Sequence, residues 1–337
     1  MKKFNNTYRF LPYIPEPKRT GEWIGEVTSL VNSFNQDNIS RTMAYQNFYL
    51  LHPDIKWSFL AAMVSRNAGW NMTDLKSDVF LRLLGPRTRD VLFMTYERAN
   101  WSIFQDAFAQ LLLYHYSTIY GRKMFHLCRD FRISRFMEEE WNHYWDYRDG
   151  DRLVQSLIIN EQHIIQQPVI EHEVYKGRVF GTSLFFIEDH LHFSSVLFPT
   201  LQGELFGSSV HGFRKVDNRI LLGNLLYKVL FDPRYHPSFT EFALEVEHTG
   251  SRTDYEMYCE AAPGTNTPKL REVYEVIPHH WQERTDWWRE GGVNPGWYRE
   301  PARLPEIVLT EWFLHKQSQL RLVAKVKGAV GRIFPWG

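Results

Sequence analysis

Apolar side chains recur at every third or fourth position through most of this chain, the period of an α-helix with one buried face. Trp23, Ile24, Val27, Leu30, Val31 and Phe34 follow that period and predict a first helix, after an extended arm set by Pro12, Pro15 and Pro17. A second helix is expected from about Ser40 to Leu51. The next stretch, His52 to Leu75 (HPDIKWSFLAAMVSRNAGWNMTDL), is apolar nearly all round. Ile55, Trp57, Phe59, Leu60, Ala61, Met63 and Val64 leave almost no polar face, so this helix belongs in the interior. Pro53 suits its first turn, where a missing N–H costs nothing. A sharp break is expected at Asn67-Ala68-Gly69-Trp70, with a further helix capped by Thr73. Ser65, Arg66 and Asn67 are then polar groups in an apolar setting and require partners.

Past Thr73 a short helix is ended by Gly85-Pro86, and residues 88–120 read as one long or two abutting helices closed by Gly121. Another long helix is expected from about Arg122 to Tyr147, and Asp149-Gly150-Asp151 marks a turn. Residues 151–176 read as a helix bent or interrupted at Pro168. Between there and Asn218, apolar bursts such as Leu184-Phe185-Phe186-Ile187 and Ser195-Val196-Leu197-Phe198 are too short for periodicity to separate helix from strand. Helical signals return at 219–230. Ser238 with Glu241 and Thr253 with Glu256 fit capping boxes, and Gly250 fits a stop between them. Thr267-Pro268 and Pro278 look like two more helix starts, and a last helix begins at Pro305 and runs towards Phe334. The expected fold is all-α, a multi-helix bundle with minor short strands around 180–217. Its two helical halves, 1–150 and 151–337, divide at the Asp149-Gly150-Asp151 turn or form one continuous domain.

Composition adds limits. With 44% apolar and 23% charged residues in 337, a real core is available, and 12 Trp imply large rings between helices. Lys+Arg and Asp+Glu are equal at 39 each, so no global charge draws the chain to nucleic acid; any such surface must be local. Cys128 and Cys259 have no metal-like spacing and fit buried thiols of a reducing compartment. No window approaches the ~20 apolar residues of a membrane span. The expected setting is cytoplasmic.

Four constellations carry candidate chemistry. Glu140/His143 and Glu245/His248 are Glu-x-x-His pairs, and with Glu97 and Glu161 they follow the ligand order of carboxylate-bridged di-metal bundles. A divalent metal would be the cofactor of that enzyme reading, and no other cofactor is favoured. With 24 Glu and 14 His in 337 residues, however, about one such pair arises by chance. Arg122, Arg129 and Arg132, with His126, share a face if the helix is continuous and could grip phosphates, but acidic Glu138 to Glu140 are close at hand. Nucleic acid is therefore a weak expectation.

The C-terminal tail is the sharpest signal: Lys316, Arg321, Lys325, Lys327 and Arg332 with no acid, beside a stripe of Leu322, Val323, Val326, Ala329, Val330, Ile333 and Phe334. That is the composition of an interfacial helix for an anionic membrane surface or a protein partner. Its simpler reading is a docked terminal helix. Finally, Arg66, Asn67, Trp70, Asn71 and Asp74 form either a polar knot that fixes the helix turn or a ligand site.

The His52–Leu75 stretch, with the later Ile158-Ile159-Asn160-Glu161-Gln162, resembles the YppC-like family of Bacillus-type Firmicutes, and the likeness runs through most of the chain. That resemblance implies a bacterial, cytoplasmic protein of unknown function. It transfers no catalytic residue, and it marks Arg66, Asn67, Trp70, Asn71, Asp74 and Glu161 as places to look.

Overall fold

The computed structural model describes residues 10–14, 20–170, 195–209, 215–259, 266–280, 285–288, 292–299 and 307–333, with the backbone alone at 20, 167, 168 and 328–333. Ten α-helices longer than one turn carry the architecture among them: α1 Thr20–Phe34, α2 Asn38–Leu51, α3 Lys56–Asp74, α4 Asp78–Leu83, α5 Pro86–Tyr120, α6 Arg135–Tyr147, α7 Gly150–Ile164, α8 Val216–Leu230, α9 His236–Glu245 and α10 Thr310–Ile333. Single turns at Thr253–Glu256 and Leu270–Val273 complete the set. The one sheet in the described residues is an antiparallel hairpin, β1 Ser195–Pro199 with β2 Leu205–Ser209, in register from Ser195↔Ser209 to Pro199↔Leu205. The expectation of a helical fold with minor strands holds, the hairpin falling within 180–217; Leu184–Ile187 lie outside the described residues.

Helix α3 is the axis. It packs against α2, α5, α7, α8 and β1, and 16 of its 19 residues are buried, so it has no solvent face. The expected break does not occur: α3 runs unbroken through Asn67-Ala68-Gly69-Trp70. Gly69 is there for a different reason. A Cβ at this position would lie 2.3 Å from Asn38 Oδ1 and 3.0 Å from the His248 ring, so glycine lets α2 and the residue 248 loop approach the helix. Pro53 lies in a turn ahead of the helix, not in its first turn, and Thr73 caps nothing; its hydroxyl donates to the Trp70 and Gly250 carbonyls.

Helix α5 ends at Gly121 (φ +62°) as expected, but it begins at Pro86, two residues before the expected start, so Gly85-Pro86 opens this helix as well as following the short one before it. The helix expected from Arg122 to Tyr147 is instead a 3-10 segment, Phe125–Phe131, and then α6. Arg132 adopts a left-handed conformation (φ +59°), and the Ser134 hydroxyl accepts from Met137 N–H to start α6. The two predicted capping boxes are also absent. Tyr235 precedes α9, and the turn at Thr253 follows Arg252. No helix starts at Pro278 among the described residues.

The largest apolar cluster draws on both sides of residue 150, with Trp57, Leu113, Trp141, Ile158, Phe198 and Phe239 in one contiguous set. Rings fill it as expected: Tyr45 meets Trp57, Phe104 and Phe108 at 4.9–6.2 Å.

Gly69→Ala tests the axis. Alanine is the better helix former by about 1 kcal/mol, but Asn38 is held by Ser65 and His248 and cannot swing clear. The overpacking cost, about 1–3 kcal/mol, should win. A lower urea midpoint at unchanged slope is expected; a higher midpoint would show that the close approach does not matter.

Candidate functional site

Helical geometry sorts the polar residues of α3 into two rows. Arg66, Trp70 and Asp74, four residues apart, face the chain from Ala243 to Tyr255. Arg66 donates to the Ala243 and Val246 carbonyls at 2.9 and 3.0 Å and to Gln46 Oε1 at 3.2 Å. It thereby closes the open carbonyls at the end of α9. The Trp70 indole N–H donates to Asp254 Oδ2 at 3.0 Å. Asp74 accepts both from Arg252 Nε at 2.8 Å and from its Nη2 at 2.7 Å, and the same guanidinium reaches Tyr255 and Asn71. Burial raises the Asp74 carboxyl above its ordinary value in spite of Arg252. Burial acts upward on Asp254 as well, yet the His248 ring 3.4 Å away and hydrogen bonds from Thr249 and Trp70 bring it below the usual carboxylate range. These three α3 residues form a sealed clamp.

The second row faces an internal space. Asn67 and Asn71, with Val64 and Ala68, line a cavity of about 190 Å³ between α2, α3, α5, α7, α8 and β1. Asn67 is fully used: its Nδ2 donates to the Leu197 carbonyl at 2.7 Å and its Oδ1 accepts from Leu197 N–H at 2.8 Å, so its amide pairs with β1 as a neighbouring strand would. Glu161 of α7 stands on the same wall. Its side chain is partly exposed, and it stands where that space is lined by α7. Burial pushes its carboxyl up to about 7; the Gln162 amide at 2.6 Å, the nearby Trp57 indole and the Arg219 charge pull back only part of that rise. The Trp57 N–H itself makes no hydrogen bond of ordinary geometry.

Sequence reading missed the rest of this wall. Arg41 and Tyr45 come one turn apart from α2, Tyr96 from α5 and Arg219 from α8. Arg41 is held by Asn35 and by both oxygens of Glu97, which His279 also touches at 3.2 Å. The available signal was a single arginine inside each of two apolar helices.

The six proposed metal ligands are not gathered, and among the described residues no group of three His, Cys, Asp or Glu could hold an ion. Glu97 is paired with Arg41, and Glu140 is gripped by Arg152 at 2.7 and 2.8 Å. His143 packs on Tyr147, while Glu245 is exposed. His248 lies beyond the end of α9 and bonds Asn38, so the second Glu-x-x-His pair never shares a helical face. The basic face fails for a related reason. Arg122, Arg129 and Arg132 do not lie on one helix, and Arg129 pairs with Glu138 at 3.0 Å.

The C-terminal residues form a two-sided helix. Phe313, Gln317, Leu320 and Ala324 of α10 are buried, Leu320 among apolar residues of α4 and its neighbours. The other side leaves Leu322, Val323 and Val326 exposed at 64, 55 and 56%. Lys316 and Lys327 flank these three on one side, Arg321 and Lys325 on the other, by the 100° step of the helix. Lys327 also donates to the Leu83 carbonyl at 3.0 Å. The Arg332 side chain lies outside the described residues.

The molecule is thus a helical protein with a buried polar clamp, an internal cavity and a two-sided terminal helix. It belongs to the family described as "Protein of unknown function (DUF2515)", whose model matches residues 33–303. It is 46% identical over 294 residues, 87% of this chain and 91% of the relative, to the uncharacterised protein YppC of Bacillus subtilis (strain 168). No solved structure matches it.

Glu161 has a measurable signature. Its folded value, about 7, lies above the ordinary 4.5, so the folded chain keeps a proton that the unfolded chain has lost. Its contribution is intact below pH 4.5 and falls away as pH rises through 7, by up to about 3 kcal/mol. Glu161→Gln should match the native protein in stability at pH 4.5 and exceed it at pH 8. Parallel stability curves for the two proteins would contradict a raised carboxyl.

Proposed function

We propose that this protein works at an anionic lipid surface, docking through the outer face of α10. The observation that supports it best is the exposed Leu322, Val323 and Val326 row with basic residues along both borders, set opposite the docked Phe313–Ala324 face. An interfacial helix needs this cross-section: aliphatic side chains enter the acyl boundary while flanking lysines reach up to headgroups. From Lys316 to Lys327 the helix carries four basic residues and no acid. Each near an anionic leaflet contributes about 1 kcal/mol. No helix among the described residues is long and apolar enough to cross a membrane, so the contact would be peripheral.

Vesicle sedimentation tests this with the full chain. Phosphatidylglycerol–phosphatidylcholine vesicles should recover the native protein, and recovery should fall in high salt as the attraction is screened. Leu322→Asp with Val326→Asp should lower the partition coefficient at least about tenfold, a cost of about 1.4 kcal/mol, without changing the melting temperature much, because both side chains already face solvent. Equal recovery of the two proteins, or equal recovery on pure phosphatidylcholine, would end the reading.

A further inference from the structure

The cavity beside α3 is partly open at its rim, and its lining is uneven. Leu60, Val64, Ile103, Ile165, Leu222 and Leu226 make most of it apolar. At about 190 Å³ it exceeds the ~150 Å³ apolar cavity that accepts a benzene ring.

Three polar groups on this wall lack what burial demands. The Tyr45 hydroxyl, on a residue only 4% exposed, has no hydrogen-bond partner, and neither has the Ser195 hydroxyl, on a residue 5% exposed. Glu161 accepts one hydrogen bond of ordinary geometry, from the Gln162 amide, with the Trp57 indole nearby, and forms no ion pair among the described residues. A largely desolvated carboxyl without a cation and two buried hydroxyls without partners are costly unless something completes them. The two guanidiniums that line the same space are already engaged. Arg41 is spent on Asn35 and Glu97, and Arg219 donates to Gln162 at 2.9 Å and to Gln166 at 2.6 Å. The acceptor left over is therefore Glu161, and an anion would find no uncommitted donor of opposite charge in that pair.

We propose that the cavity binds a small organic amine, with the protonated nitrogen against Glu161 and Tyr45 and an apolar body of about one ring among the aliphatic side chains. The ammonium would supply the missing countercharge to Glu161 and hydrogen bonds to the carboxyl and hydroxyls, and the Tyr45 ring offers a face for the cation. The charged and titratable groups around Glu161 are Arg41 and Tyr45 from α2, Tyr96 and Asp106 from α5, and Arg219 from α8. Burial with the Glu161 charge pushes Tyr45 well above its ordinary value. Glu161 is then the group that sets the pH response. This inference is independent of the lipid reading, because the cavity and the outer face of α10 share no residue.

Calorimetric titration of the full chain with benzylamine, benzyl alcohol and benzoate decides it. At pH 8 benzylamine should bind at least tenfold more tightly than the other two. At pH 6 its affinity should fall about tenfold, since a carboxyl titrating near 7 is mostly protonated there. Glu161→Gln should weaken binding at pH 8 at least tenfold while the protein stays folded. Ala61→Leu, which fills the void from α3, should abolish it. Equal binding of all three probes would reduce the site to an apolar hole, and tighter benzoate binding would make it an anion site. Either result overturns the proposal, as would undiminished binding to Glu161→Gln or no heat with benzylamine at millimolar concentration.

Discussion

A helix without a solvent face can keep an arginine, two asparagines and an aspartate only if the interior supplies a partner to each. That constraint organises this protein. Breaking a buried charge pair by removing one member costs about 3–5 kcal/mol, so Asp74 and Arg252 are held to one another wherever α3 goes. Arg66 needs oxygens and takes them from the end of α9, which fixes the position of that helix relative to α3. Asn67 does the same for the hairpin through the Leu197 peptide. Polar residues here are therefore the couplings between otherwise featureless apolar surfaces, which would pack in several registers if left to hydrophobicity alone.

Much of the fold was legible because its signals are local. The period of apolar residues locates α1, α2, α5 and α8, and Pro86 and Gly121 mark the ends of a 35-residue helix. The failures are equally physical. Gly69 looks like a breaker when only its neighbours in sequence are known; its reason, the approach of Asn38 and His248, comes from chain 31 and 179 residues away. The helix assumed from Arg122 to Tyr147 ends at a non-glycine residue in the left-handed region, where no glycine advertises the stop, although Ser134 did mark the new start. Glu245 and His248 share a helical face only if α9 continues to His248, and it stops at Glu245.

Candidate-site reading divided along the same line. Six residues were singled out as one polar cluster, and the 100° step of α3 separates them: Arg66, Trp70 and Asp74 into the clamp, Asn67 and Asn71 onto the cavity, where Glu161 joins them. Periodicity identifies which residues share a face but not whether that face meets protein or a void. A void is decided by the sizes of side chains on six different elements. On α10 the apolar residues were found, yet which of them dock and which stay outside depends on where α4 lies.

The clamp also has a bearing on biosynthesis. The Val246 carbonyl that receives Arg66 and the guanidinium that pairs with Asp74 follow them by about 180 residues. At translation speeds of about 5–20 residues per second, that gap is about 10–40 s. During this interval water solvates the charges of the segment, while its apolar side chains have no finished core to enter. Completion of this protein is in that sense a C-terminal event, and a ribosome stalled near residue 240 would present a helix suited to chaperone capture.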